Sequence, residues 1–248
     1  MRIAVYQADT KWLKKNENLR EIENYVKQNH RDFDILVLPE MFLTGFCMNP
    51  KKSAIAENDR AVEKLISLCK KYKVAIFGSL AIKEDRKYYN RGLFITGKGI
   101  KFRYDKEYLF SHTGEQKRFS RKYPPTLFKY KGWKIMPKIC YDLRFPENVR
   151  KLPSADLIIY VANWPAERIH HWQTLLRARA IENQSFVIGC NRIGSDQNGL
   201  SYPGQSMLVK PDGASIVMDF DAIPSIFNLK KKVLKSNRST FKFQADKK

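Results

Sequence analysis

The chain has 248 residues, 43 % of them hydrophobic, enough to fill one substantial core and too apolar for disorder throughout. No run of about 18 apolar residues occurs and the N-terminus lacks signal-peptide order, so a cytoplasmic protein without a membrane span is expected. The net charge of +21 raises nucleic-acid or anionic-surface binding, but the lysines are scattered except in the stretch 228–248, where eight Lys and Arg face one acid, Asp246. With no nucleic-acid-binding signature alongside it, that stretch reads as a solvated basic tail on a single domain spanning 1–248.

Taken in chain order, strand-length apolar runs alternate with segments of helical period, the pattern of an α/β protein. RIAVYQA (2–8) reads as a strand. Leu19, Ile22 and Val26 mark an amphipathic helix before the buried-strand pattern DILVLPE (34–40). ENDRAVEKLISLCKKYK (57–73) places Ala61, Val62, Leu65, Ile66, Cys69 and Tyr72 on one helical face, and VAIFGSLAI (74–82) follows as a strand. RGLFIT (91–96) and IKFRYDK (100–106), around a GKG turn, read as a hairpin, which makes the sheet arrangement mixed.

The stretch 108–128, with a Pro-Pro pair and no period, is expected to be a functional or disordered loop. A strand then closes on KIC (138–140), and its Pro137 demands an edge, a bulge or a locally unpaired position. DLIIYVAN (156–163) is another strand, ERIHHWQTLLRARAIENQ (167–184) a long helix, and SFVIGCNRI (185–193) a further strand. GQSMLVKP and ASIVMDF form a last hairpin around PDG.

Four cysteines, Cys47, Cys69, Cys140 and Cys190, show no CxxC pair, and the four histidines show no metal spacing, so neither a metal site nor a disulfide framework is indicated. Glu40, Lys106 and Cys140 each stand at a strand end, where ligands bind in α/β sheets. A thiol with pKa about 8.5 needs a base or a cation to act as a nucleophile. Glu40 suits the first task and Lys106 the second, with Lys106 and the Tyr141 backbone N–H placed to stabilise an oxyanion. Taken singly, each has a plainer reading: a buried core thiol, a turn-capping carboxylate and a surface lysine.

Four strings taken together, LPEMFLTGF (38–46), YDKEYLF (104–110), ICYDLRFPE (139–147) and NRIGSDQNG (191–199), resemble the nitrilase superfamily of carbon-nitrogen hydrolases. The resemblance runs from residue 1 to about 220 and is weak beyond Asp219. It implies a four-layer αββα sandwich with two mixed β-sheets, usually paired into a homodimer, with no metal and no organic cofactor. Within it Glu40 is the general base and acid, Lys106 the oxyanion stabiliser and Cys140 the nucleophile, with Glu115 matching an additional glutamate that orients the lysine or helps place the substrate; a solvated loop acid is its plainer reading.

The flanks, including NWPAERIHHWQTLLRARAIENQ (163–184), are similar to the ω-amidase branch. That implies hydrolysis of the terminal amide of a small carboxylated substrate such as 2-oxoglutaramate or 2-oxosuccinamate. Arg144 and Arg168 are candidates for the substrate carboxylate and Trp164 for a pocket wall; an ion-pair role for Arg144 and core packing for Trp164 stay open. So do a carbamoylase, another linear-amide hydrolase or a nitrilase using the same three residues, and a catalytically silent protein binding nucleic acid through the basic tail.

Overall fold

A computed structural model describes residues 1–123, 126–150, 152, 154–220 and 225–246; the Pro-Pro pair and residues 247 and 248 lie outside them. In chain order its elements are β1 (Arg2–Val5), α1 (Lys15–Asn29), β2 (Ile35–Val37), α2 (Pro50–Ser53), α3 (Arg60–Tyr72), β3 (Ala75–Glu84), β4 (Lys87–Thr96) and β5 (Gly99–Asp105). There follow β6 (Phe128–Tyr130), β7 (Trp133–Ile139), α4 (Glu147–Arg150), β8 (Leu157–Ala162), α5 (Ile169–Asn183), β9 (Phe186–Asn191) and β10 (Ile193–Ser195). The last are β11 (Ser201–Pro203), β12 (Met207–Val209), β13 (Ser215–Val217), β14 (Ser225–Asn228) and α6 (Lys231–Thr240).

Two six-stranded sheets result, in the orders β14-β1-β2-β3-β4-β5 and β13-β12-β9-β8-β7-β6. Both are mixed: β1, β2 and β3 run parallel, as do β7, β8 and β9, and the flanking strands are antiparallel. Alternation along each strand gives it two apolar faces. Ile3, Val5, Ile35, Val37 and Phe77 of the first sheet share one core with Ile135, Ile139, Ile159, Val161 and Ile188 of the second. The outer face of the first packs under Leu19, Ile22, Val26 and Leu65, from α1 and α3. That of the second packs under Trp172 and Leu176 of α5. The order of layers is therefore helix, sheet, sheet, helix, the αββα sandwich expected from the motifs.

Local chemistry explains several of these elements. Asp59 caps α3 by accepting from the Ala61 N–H at 2.8 Å, and Lys73 ends it in the left-handed region at φ 57°. Gly189 lets α5 lie close on β9, because a Cβ there would come within 2.4 Å of the Leu176 side chain. Pro137 sits where β7 has a partner on one side: β6 pairs only with Trp133–Ile135, and β8 covers the other edge. This is the locally unpaired position its missing N–H demands.

One segment without a sequence assignment is ordered, and one expectation needs correction. Residues 83–90 belong to a second hairpin, in which β3 and β4 pair along their whole length through Asp85 and Arg86, both at positive φ. Such two-residue turns favour Asn-Gly, so Asp-Arg gave no turn signal. The stretch 228–248 is not simply a solvated tail. β14 pairs with β1, Leu234 of α6 is buried in the inter-sheet core, and Arg238 donates to Ala155 O and Asp156. The lysines cover one face of α6, and Leu234 anchors the other.

Leu234→Ala is accordingly expected to destabilise the protein by about 2–4 kcal/mol in denaturant unfolding. A solvated tail would leave the midpoint unchanged.

Candidate active site

Glu40 lies three residues beyond β2, in a turn that Ser79 Oγ fixes by accepting the Met41 N–H at 2.9 Å. It is fully buried, and each carboxylate oxygen is doubly satisfied. Oε1 accepts from Lys106 Nζ at 2.9 Å and Asn90 Nδ2 at 2.8 Å. Oε2 accepts from the Asn163 N–H at 3.0 Å and from Asn163 Nδ2 at 3.2 Å. Lys106, directly after β5, continues the hairpin ladder by donating its N–H to Asn90 O, and its ammonium also meets Glu115 Oε2 at 2.9 Å.

Glu115 reaches this point because the irregular stretch folds into two 3-10 turns, Ser111–Thr113 and Glu115–Lys117. Its Oε2 accepts the Phe110 N–H at 2.7 Å and its Oε1 accepts from Asn90 Nδ2 at 3.0 Å. The outcome is a buried row of carboxylate, ammonium and carboxylate, bridged by one amide. Burial works against the Lys106 charge, but Glu115 and Glu40 overcome it and hold the ammonium's pKa well above the usual lysine range. Burial pushes the Glu115 carboxyl up, against the attraction of Lys106.

Cys140 opens a 3-10 segment, Cys140–Arg144, directly after β7. Its φ of 45° lies in the left-handed region, which costs a non-glycine residue about 1–2 kcal/mol. Asp142 supports the bend: Oδ2 accepts the Ile139 N–H at 2.9 Å and the Tyr104 hydroxyl at 2.7 Å, and Oδ1 accepts the Tyr108 N–H at 2.9 Å. Burial, then the charge of Glu40, pushes the Cys140 thiol well up, with Lys106 pulling the other way. These influences together favour the thiol over the thiolate. Tyr141 follows Cys140 directly within the same 3-10 segment.

The remaining predicted residues form one flank. The Arg144 guanidinium lies over the Trp164 ring at 5.0 Å and meets His171 Nδ1 at 3.2 Å. Trp164 is buried against Trp172 and donates its Nε1 proton to Arg168 O at 2.7 Å. Arg168 is held here through its backbone, its carbonyl accepting from Trp164 and its N–H donating to Pro165 O at 3.2 Å. Cys47, Cys69 and Cys190 are buried and free, and burial pushes the Cys69 thiol up to about 12. Among the described residues no group of three or more His, Cys, Asp or Glu could hold a metal ion.

Sequence reasoning missed Asn90, Asn163 and Asp142. Asp142 and Asn163 stood inside strings already singled out, whereas Asn90 lay in the strand half that carried no turn signal.

This site and sandwich define a hydrolase acting on carbon-nitrogen bonds other than peptide bonds: the carbon-nitrogen hydrolase family model matches residues 2–219, and the chain belongs to that family. Among its relatives, the omega-amidase YafV of Yersinia enterocolitica is 40% identical over 209 residues, covering 84% of this chain and 81% of that protein. The 2-oxoglutaramate amidase of Bacillus subtilis is 34% identical over 216 residues, covering 85% and 83%. In three dimensions XC1258 of Xanthomonas campestris, a CN-hydrolase superfamily protein with an arsenic adduct in its active site, superimposes with a TM-score of 0.93 at 31% identity, covering 99% of this chain and 96% of that one. No helix among the described residues is long and apolar enough to cross a membrane.

Since Glu40 is a main cause of the raised thiol pKa after burial, Glu40→Gln is expected to lower it. Thiolate absorbance at 240 nm, referenced to Cys140→Ala, should then rise at lower pH than in the wild type.

Proposed function

We propose that this protein is an ω-amidase that hydrolyses the terminal amide of a small 2-oxo dicarboxylic acid monoamide, with 2-oxoglutaramate the leading substrate. One observation carries the reading: Glu40 and Lys106 are in direct contact, and Asn163, whose N–H donates to Glu40 Oε2 at 3.0 Å, accepts from the half-buried Cys140 thiol through its carbonyl at 3.9 Å, which draws the three side chains toward one point. The similarity to an omega-amidase and a 2-oxoglutaramate amidase over more than four-fifths of the chain supports the substrate class.

The chemistry follows from the charges. Cys140 is a thiol at rest, so attack on the amide carbon requires Glu40 to take its proton as the C–S bond forms. The carbonyl oxygen becomes an oxyanion between the Lys106 ammonium and the Tyr141 N–H, both fixed in advance. Ammonia leaves only when protonated, and the proton on Glu40 goes to the amide nitrogen as the C–N bond breaks. The thioester remains, and Glu40 then takes a proton from water as it attacks the thioester carbon; the C–S bond breaks, the proton returns from Glu40 to the sulfur, and the 2-oxo acid leaves.

Glu115 holds the far side of the Lys106 ammonium, so the lysine stays charged and aimed throughout. Arg144, backed by Trp164, offers the cationic fork that a substrate carboxylate needs. Arg168 contributes to this wall through its carbonyl bond to Trp164.

Ammonia release from 2-oxoglutaramate is the direct assay. Wild-type protein should release it and Cys140→Ala should not; a silent wild type, or turnover surviving that substitution, contradicts the reading. An N-carbamoyl amino acid or nitrile turned over in preference would move the assignment to a neighbouring branch.

We also propose that the enzyme works in the cytoplasm as a homodimer. Its free thiols suit a reducing compartment. Exposed Ile181 on α5 lies against Gly213, and exposed Val217 of β13 pairs with Met207, whose side chain packs under α5, so the two share one outer face that a second copy would cover. Sedimentation equilibrium should give twice the chain mass, and Ile181→Lys should shift it toward the monomer. A monomer at all concentrations would refute the dimer.

A further inference from the structure

Behind the active site lies a second buried charge cluster that the chemistry above does not use. Arg91 is fully buried, and its Nε and Nη2 meet the two oxygens of Asp105 at 2.6 and 3.1 Å. Its Nη1 donates to Glu57 at 2.7 Å and Glu84 at 2.8 Å. The rings of Tyr89 and Tyr123 lie 4.5 and 4.6 Å from the guanidinium carbon. Asp105 Oδ2 accepts two further bonds, from the Lys122 and Tyr123 N–H groups at 3.0 and 3.1 Å.

The position of this pair matters more than its strength. Arg91 and Asp105 face one another in the register of β4 and β5. The residue before Arg91 is Asn90, which bridges Glu40 and Glu115, and the residue after Asp105 is Lys106. Side chains alternate along a strand, so the clamp fills one face while Asn90 and Lys106 reach the other. The bonds to Lys122 and Tyr123 also tie down the segment returning from Glu115.

We propose that Arg91 and Asp105 are positioning residues for the reaction: without touching substrate, they fix where Asn90, Lys106 and the Glu115 loop place their polar atoms. The proposal rests on the reading of the site given above. A planar bidentate fork between two rings sets both distance and orientation, which a lysine cannot reproduce. Misplacement of a catalytic group by about 1 Å can cost on the order of 100-fold in rate.

The test is steady-state kinetics of Arg91→Lys and Asp105→Asn on 2-oxoglutaramate, with rates normalised to folded protein. In each, kcat is expected to fall about 30- to 100-fold with KM within about threefold. Glu84→Gln, which loosens only the rim, should keep kcat within about threefold. Wild-type kcat per folded molecule in Arg91→Lys or Asp105→Asn would overturn the proposal, as would an effect confined to KM. Should both fail to fold, Tyr123→Leu strips one ring from the guanidinium and leaves the ion pair. Its kcat must then drop several-fold at steady KM, and an unchanged kcat is contrary. Alkylation of Cys140 by iodoacetamide separates this proposal from the substrate assignment. A displaced Lys106 raises the thiol pKa and slows labelling even if 2-oxoglutaramate is not the substrate, whereas unchanged labelling in a folded variant contradicts the clamp.

Discussion

A lysine ammonium enclosed between two carboxylates, out of reach of water, is the constraint around which the rest of this protein is arranged. Burying three charges is costly unless every lone pair and proton is met, and removing one member would leave an uncompensated charge in low dielectric. The structure meets that demand locally. Asn90 donates to both glutamates, Asn163 takes the second oxygen of Glu40, and the Phe110 N–H takes the second oxygen of Glu115. These partners come from β4, the end of β8 and the loop after β5, so the two sheets must pack face to face before the site exists.

The same arrangement governs the thiol. Cys140 is held at a strained backbone angle by Asp142, and the adjacent Glu40 disfavours ionisation. In the proposed reaction a proton moves from sulfur to Glu40 to the leaving nitrogen, and the oxyanion develops beside a cation already fixed in place. Proton transfer and charge stabilisation fall to separate groups held together by one short bond.

Much of this was legible in the sequence, for identifiable reasons. The strand runs ending near Glu40, Lys106 and Cys140 are strongly apolar, so their polar ends stood out, and three widely separated strings carried the three residue types. Glu115 was found through resemblance, since its loop has no period. Asn90 was invisible because the hairpin containing it turns on Asp85 and Arg86, residues that do not ordinarily specify such a turn. The C-terminal segment misled for a different reason. Composition registers its lysines, whereas one leucine at the right helical position decides that it packs. Arg91 reads as one more basic residue in a basic chain until the hairpin register sets it opposite Asp105.

The central claim is that Glu40 is needed to move a proton and not merely to hold the site together. Its most direct test is the turnover of Glu40→Gln, whose thiol is expected to ionise more readily than the wild-type thiol. If thiolate supply limited the reaction, this variant would be as fast as wild type or faster. The account instead requires kcat for ammonia release to fall about 100- to 10,000-fold. Retention of kcat within tenfold in folded Glu40→Gln would contradict it.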